Sequence, residues 1–275
     1  MTVPFRAAVL GSPIAHSRSP QLHLACYALL ERNDCTYESI EVAAGNLGTF
    51  LAALDSTWMG VSLTMPLKEE ALGLVDRVSP DAERIGAVNT ICLRPDGRYG
   101  YNTDQHGLFT VLQPHLPSRG TAVVLGAGAT ARSAVAALAA CNPAEITVIS
   151  RDRSRFASLA ARFQHIPLSW LPWREDSGST CSIDADVVVS TVPAQVVNPL
   201  TPRPGQYLVD VNYPEPDNLR RWIAAGGRGE DGLTMLVHQG VAQAGLFTGR
   251  DLQDPLLGTM VISARAAVLE SLRTD

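Results

Sequence analysis

Charge is scarce in this chain: 18% of its residues are Asp, Glu, Lys or Arg, with a formal net charge of −5. That balance gives no electrostatic ground for nucleic acid or an anionic membrane surface as the main partner. Cysteine patterning is missing too. Cys26, Cys35, Cys92, Cys141 and Cys181 are odd in number, widely spaced and form no CxxC pair, which suits free thiols in a reducing cytoplasm rather than a disulfide framework. The six histidines show no HxxxH or other ligand spacing, so no metal is expected. Long apolar runs are absent: the longest stretch without a charge, Gly232 to Gly249, carries His238, Gln239 and Gln243, and a membrane span is not expected. No basic stretch precedes an apolar run at the start of the chain, so no signal peptide is expected. Trp58, Trp170, Trp173 and Trp222 form no stripe and read as packing residues.

What is present is apolar substance. With 46% hydrophobic residues over 275 positions, the chain can build one large or two ordinary domains. Ala7 to Leu10, ended by Gly11-Ser12-Pro13, reads as a buried strand and turn. A helix follows, with Ser19 as N-cap, Pro20 just inside, and Leu22, Cys26, Leu29 and Leu30 on one face. Thr36 to Val42 alternates like a strand, Asn46 to Leu54 is helical in pattern, and Gly60 to Thr64 is an apolar strand. The middle third repeats this grammar: strand Thr121 to Leu125, a glycine loop, helix Ala131 to Ala140, strand Ile146 to Ser150, then strands Asp186 to Ser190 and Tyr207 to Val211. These runs suit an α/β fold with a parallel sheet covered on both faces. Two helices close the chain, Thr234 to Phe247 and Pro255 to Leu272, with Thr248-Gly249 as the stop between them.

VVLGAGATARSAVAAL places Gly126, Gly128 and Ala131 in a G-x-G-x-x-A pattern directly after a strand and opening a helix. The first glycine permits the turn, the second lets backbone approach a pyrophosphate, and the small third residue allows close helix–strand packing. The loop Gly126, Ala127, Gly128, Ala129, Thr130 and Ala131 is therefore the candidate dinucleotide site, with phosphates held by helix N-terminal amides. Where an acidic residue would bind the ribose of NAD, the next strand ends in Ser150, Arg151, Asp152 and Arg153. A guanidinium there can pair with a 2′-phosphate, which favours NADP. Asp152 pulls the other way, because a carboxylate turned inward would repel that phosphate.

Four polar clusters lie in the first third, each following or ending an expected strand: Ser17-Arg18-Ser19, Thr64 to Lys68, Ala87 to Thr90 and Asn102-Thr103-Asp104. Strand ends are where open α/β sheets bind ligands. Together the clusters supply hydroxyls and amides for a polyhydroxylated ligand, one ammonium and one carboxylate. Here the sequence resembles the shikimate dehydrogenase family, through GSPIAHSRSP, GVSLTMPLKE, IGAVNTI, GYNTDQHG, the glycine loop, DVVVSTVP and GLTMLVHQG in order. The resemblance implies an α/β substrate domain followed by a Rossmann-like doubly wound nucleotide domain. It implies that Ser17 and Ser19 bind a substrate carboxylate, joined by Tyr213 of VDVNYPEP, and that Thr64, Asn89 and Gln239 bind hydroxyls. Lys68 and Asp104 would be the catalytic pair, and Thr191, Val192 and Gly232 would join the cofactor site. The chain departs from the family pattern at Ser62, where asparagine is frequent, at Ala129, where a third glycine is common, and at Ser150-Arg151-Asp152, where Asn-Arg-Thr is typical. The Thr-Pro that usually follows the tyrosine is absent.

The implied activity is reversible NADP(H)-dependent interconversion of shikimate and 3-dehydroshikimate, a step toward chorismate and the aromatic amino acids. Removing a secondary alcohol's hydride requires removing its proton as well, and Lys68 would be general base in that direction and general acid in the other. The implied domains are 1–104 completed by 233–275 for substrate and 105–232 for NADP, with the active cleft between them. A quinate or dual quinate/shikimate dehydrogenase using NAD would use the same residues, and a non-enzymatic metabolite sensor could keep the fold without turnover. The expected partners are small molecules, with a homodimer left open.

Overall fold

The computed structural model describes residues 5–173 and 182–274; Cys181 lies outside the described residues, and Cys26, Cys35, Cys92 and Cys141 are free thiols. The chain forms two compact units, one of residues 1–103 with 236–275 and one of residues 104–235.

The first unit runs β1 (Arg6–Gly11), α1 (Ser19–Leu29), β2 (Thr36–Glu41), α2 (Leu47–Ala52), β3 (Trp58–Leu63), a 3-10 turn (Glu70–Gly73), β4 (Arg77–Val78), α3 (Pro80–Ile85), β5 (Thr90–Arg94) and β6 (Gly97–Tyr101). Its sheet has the order β2-β1-β3-β5-β6-β4. β1 pairs in parallel with β2 and β3, as the buried apolar runs imply. The sheet is mixed, however, because β5 pairs antiparallel with β3 and β6. That hairpin is not among the elements read from the sequence. Its cause is local: Pro95 and Asp96 make a two-residue connection, and Gly97 follows at φ +139°, where a side chain would be strained. One face of this sheet buries Leu10, Leu47, Val61, Leu63, Leu67 and Ile91.

α1 departs from its expected cap. Arg18 is the N-cap residue and makes no side-chain cap bond. Instead the Ser17 hydroxyl accepts the Ser19 amide at 3.3 Å, one step further out. The buried face is Ser19, Leu22, His23, Cys26 and Tyr27, while Leu29 is exposed. A polar residue, His23, thus occupies a core position that an apolar pattern would not mark.

The second unit runs α4 (Asp104–Leu112), β7 (Thr121–Leu125), α5 (Ala129–Ala140), β8 (Glu145–Ser150), α6 (Arg153–Arg162), β9 (Leu168–Pro172), β10 (Val187–Ser190), β11 (Tyr207–Asp210), α7 (Asp217–Ala224) and β12 (Arg228–Glu230). Its strands pair wholly in parallel in the order β12-β11-β10-β7-β8-β9. Val123, Val124, Val187 and Val189 are fully buried, as two-sided cover of a parallel sheet demands. The strand order reverses beside β7, which in open α/β sheets is the position for a ligand.

Two helices close the chain, α8 (Leu233–Phe247) and α9 (Leu256–Thr274). The first unit takes both from Leu236 onward. α9 buries Leu257, Met260, Ala264 and Val268 at helical spacing and packs along α1. Gly60 lets α8 come down onto β3, since a Cβ there would lie 2.5 Å from the Phe247 ring.

Candidate active site

The first unit places its polar clusters at the ends of β1, β3, β5 and β6. Thr64 follows β3 directly, and its amide donates to Leu10 O at 2.9 Å. Gly11 makes room for it, because a Cβ at Gly11 would sit 2.3 Å from the Thr64 methyl. Four residues on, the Lys68 carbonyl accepts the Val88 amide at 2.8 Å. The Thr64 to Lys68 turn is therefore fixed at both ends by main-chain bonds, while the side chains of Thr64 and Lys68 are half-buried.

Asn89 is 1% exposed and central. Its Nδ2 donates to Thr103 Oγ1 at 2.9 Å and to Gln239 Oε1 at 3.4 Å. Its Oδ1 accepts the Thr90 hydroxyl at 2.7 Å and the Thr103 amide at 2.8 Å. Two of the sequence clusters and α8 are thus tied through one side chain. The Asn102 amide donates to Ala87 O at 2.9 Å, which locks β6 to the loop before β5. Asp104, only 4% exposed, opens α4 directly after Thr103, where its charge complements the helix N-terminus.

Sequence reasoning passed over Gln243, one helical turn beyond Gln239. Its Nε2 donates to Asn89 O and to Thr90 Oγ1, both at 3.1 Å, and its Oε1 accepts the Ser62 hydroxyl at 2.8 Å. The only signal was the i,i+4 spacing of two glutamines in an otherwise apolar helix. His23 was passed over too. It stacks on Tyr37 with centroids 3.9 Å apart and meets Tyr27 and Gln243. Burial pulls its imidazole down to about 3, so it stays neutral.

In the second unit the glycine loop has the form its spacing implies. Gly126 sits at φ +106°, and a Cβ on it would lie 2.6 Å from Thr191 Oγ1. Gly128 is the N-cap of α5 and supplies no side-chain cap, and a Cβ there would meet nothing within 4 Å. The first amides of α5 therefore open onto space that a phosphate can enter. Ala131 is fully buried against the sheet. These residues fit a dinucleotide.

At the end of β8, Asp152 does not face a ribose site as a bare carboxylate. Its Oδ1 accepts the Ser154 amide at 2.7 Å and the Ser154 hydroxyl at 2.6 Å, capping α6. Those bonds from Ser154 hold its carboxyl below the usual range. Arg151 and Arg153 are exposed beside it. Trp170 is more than packing: its indole N–H donates to Ser150 Oγ at 3.1 Å, and the Arg153 guanidinium lies over its ring at 5.6 Å. Asn212 ties further predicted positions together, since its Nδ2 donates to Val192 O at 2.9 Å and its carbonyl accepts the Gly232 amide at 2.9 Å. Asp210 anchors Asn212, accepting its amide and side chain at 3.0 and 2.7 Å. Tyr213 is the next residue along. Among the described residues no group of three His, Cys, Asp or Glu is arranged to hold a metal ion, and no helix is long and apolar enough to cross a membrane.

Known proteins are similar to this chain in sequence and in fold. A family profile described as "Shikimate dehydrogenase substrate binding domain" matches residues 9–91, and one described as "Shikimate / quinate 5-dehydrogenase" matches residues 113–199. A protein of Paramagnetospirillum magneticum named shikimate dehydrogenase (NADP(+)) is 38% identical over 248 residues, covering 86% of this chain and 89% of the relative. The crystal structure of Mycobacterium tuberculosis shikimate dehydrogenase superposes with a TM-score of 0.81 at 36% identity, over 96% of this chain and 100% of that one. A Thermus thermophilus shikimate 5-dehydrogenase solved with NADP(H) and shikimate gives a TM-score of 0.77 at 32% identity, over 96% of this chain and 99% of that one.

Proposed function

The chain belongs to the shikimate dehydrogenase family, and from that membership we infer that it interconverts shikimate and 3-dehydroshikimate with NADP(H). The observation that carries the reading is the similarity, over nearly the full length of both chains, to a protein solved with both NADP(H) and shikimate.

The site roles are our proposal. Lys68 takes the proton of the reacting hydroxyl in the oxidising direction and returns one to the carbonyl oxygen in the reducing direction. Asp104 orients the Lys68 ammonium and accepts from the neighbouring hydroxyl. Thr64, Asn89 and Gln239 hold the ring hydroxyls, while Ser17, Ser19 and Tyr213 hold the carboxylate. When bound, NADP supplies the hydride acceptor, and NADPH the donor of the reverse step. Gly126 to Ala131 cradle the pyrophosphate through the α5 amides, and Thr191, Val192 and Gly232 line the same cofactor site. Ser150, Arg151 and Arg153 take the 2′-phosphate. The commitment of Asp152 to capping α6 supports NADP, because its carboxylate is occupied by Ser154.

We place substrate handling in the portion 1–104 with 233–275 and cofactor handling in 105–232, within a reducing cytoplasm where the thiols stay free. Light scattering distinguishes monomer from homodimer. The deciding experiment is the initial rate of nicotinamide reduction with shikimate, comparing NADP with NAD and running quinate in parallel. Fast turnover only for shikimate with NADP is expected. Preference for NAD would overturn the Arg151 assignment, preference for quinate the carboxylate pocket, and no turnover with any pair the enzymatic reading itself.

A further inference from the structure

Past the end of β8, Arg151, Arg153 and Arg155 flank one carboxylate, Asp152, and the fold treats each arginine differently. Arg155 leans on Asp152, with Nε 3.9 Å from Oδ2. Arg151 is exposed, and no hydrogen bond or ion pair to a described residue holds its guanidinium. Arg153 is exposed as well, but its guanidinium lies over the Trp170 ring, 5.6 Å from the centroid. Among the described residues it has no hydrogen bond or ion pair, so the ring is what holds it. Trp170 is itself fixed. It sits half-buried on β9, opposite Val148 of β8. Its indole N–H can only donate, so Ser150 Oγ accepts it at 3.1 Å and gives its own proton to Asp152 O at 3.2 Å. Phe156 approaches the ring from α6, with centroids 6.5 Å apart. Arg153 and Phe156 are three residues apart and so share one face of α6. The backbone that carries Arg153 is set too, because Asp152 caps the helix through Ser154.

We propose that Trp170 is a specificity-determining positioning residue, holding the Arg153 guanidinium where the 2′-phosphate of NADP arrives. The proposal rests on the reading of Arg153 as a 2′-phosphate residue and names the group that places it. A cation–π contact holds a charge without an acceptor oxygen, so the guanidinium keeps its N–H donors for an anion. An ion pair with Asp152 would do the opposite, and that carboxylate is taken by Ser154 and Arg155. A long exposed side chain loses rotamer freedom when it binds a ligand, and a ring that holds it beforehand reduces that loss. NAD carries a hydroxyl in place of the phosphate and gains nothing from a held cation. The effect of Trp170 is therefore confined to the phosphorylated cofactor.

The test measures binding of two probes by calorimetry, adenosine 2′,5′-bisphosphate and adenosine 5′-monophosphate, which differ only in the 2′-phosphate. Neither requires turnover, so the outcome is independent of the reaction. The unaltered protein should prefer the bisphosphate; equal affinity for the two would overturn the 2′-phosphate reading and the proposal with it. Arg153→Ala should weaken the bisphosphate about ten-fold, the size of one lost charged hydrogen bond. Wild-type binding by that variant overturns the reading of Arg153, and therefore the proposal, while leaving the preference for NADP standing. Trp170→Leu should weaken the bisphosphate about three-fold, the size of one exposed cation–π contact, with the monophosphate unchanged. In the double variant the loss due to Trp170→Leu should vanish, because the residue it acts through is gone. Equal weakening of both probes would make Trp170 a platform for the adenine or a merely structural residue, and additive losses in the double variant would make it independent of Arg153. Either result overturns the proposal, as does a folded Trp170→Leu with unaltered binding. If Trp170→Leu does not fold, Trp170→Phe keeps a weaker ring face and loses the indole N–H. It should give a smaller loss on the bisphosphate alone, and no loss, or an equal loss on both probes, overturns the proposal.

Discussion

At the scale of the residue, Lys68 and His23 show two ways in which a titratable group serves a fold. Lys68 is held by its backbone at the end of a pinned turn, and the proposal gives it the reacting proton. Lys68→Ala should keep ligand binding, read by fluorescence titration of NADPH, yet lose turnover by roughly a hundred-fold or more. Turnover close to wild type would remove it from the mechanism. His23 is fully buried and neutral, with its imidazole pulled from 6.5 to about 3 by burial. In the unfolded chain it takes up a proton below its ordinary value, whereas in the fold it does not. Stability is therefore whole above about pH 6.5 and falls as pH drops toward 3, by up to about 1.4 kcal/mol per unit. His23→Gln should flatten that part of the pH dependence in urea unfolding between pH 7 and 4, and curves that stay parallel to wild type would refute this. Neither role is legible from a residue alone. An isolated lysine or an aspartate at a helix start reads as surface, and only the neighbouring motifs single out Lys68 and Asp104. Gln243 and His23 escaped notice because a buried polar side chain leaves no mark on a periodicity built from apolar residues.

At the scale of the element, legibility followed agreement among local signals. β7, the glycine loop, α5 and β8 stood out because an apolar run, two glycines and a helical alanine run all point to one βαβ unit. The short strands did not. β12 has three residues, and β9 is at best half-buried along its length, so neither carries the apolar run that marks a central strand. The β5–β6 hairpin was announced only by Pro95-Asp96-Gly97, and its strands are partly polar. The α1 N-cap falls at Arg18, one residue before the expected Ser19, and the Ser17 hydroxyl takes the Ser19 amide instead. The glycine loop allows a sharp prediction: Gly126→Ala places a methyl against Thr191 at a backbone angle that L-residues rarely adopt. The cost of about 1–2 kcal/mol should appear as a weaker NADP complex with KM for shikimate unchanged. Unaltered NADP binding by calorimetry would show that the loop does not shape the cofactor site.

At the scale of the whole molecule, the second unit is one continuous stretch and the first is completed by chain from beyond it. α9 is the last piece, burying Leu257, Met260 and Val268, each large side chain stabilising by roughly 2 kcal/mol. That is a sizeable share of a domain's whole stability. Removing residues 256–274 should therefore speed hydrogen exchange in β1 to β3 while β7, β8 and β10 keep their protection. Uniform exchange across both sheets would show that the two units do not hold their stability separately. The fold class was accessible at this scale because the second sheet is built from contiguous βα grammar and the first opens with it. The closing of the first unit by α8 and α9 was harder to see, since no local signal tells a helix which sheet it will cover.

That division also sets a clock. A ribosome adding about 5–20 residues per second needs roughly ten to thirty seconds to pass from residue 103 to the end of α9. Until residue 243 is added, His23, Ser62 and Asn89 are already part of the chain, but the amide of Gln243 that joins them does not yet exist. The early half of the substrate unit must wait in water with its polar groups hydrated, while the nucleotide unit, whose residues are consecutive, can finish first. The unit that begins first is thus the last to have all of its residues.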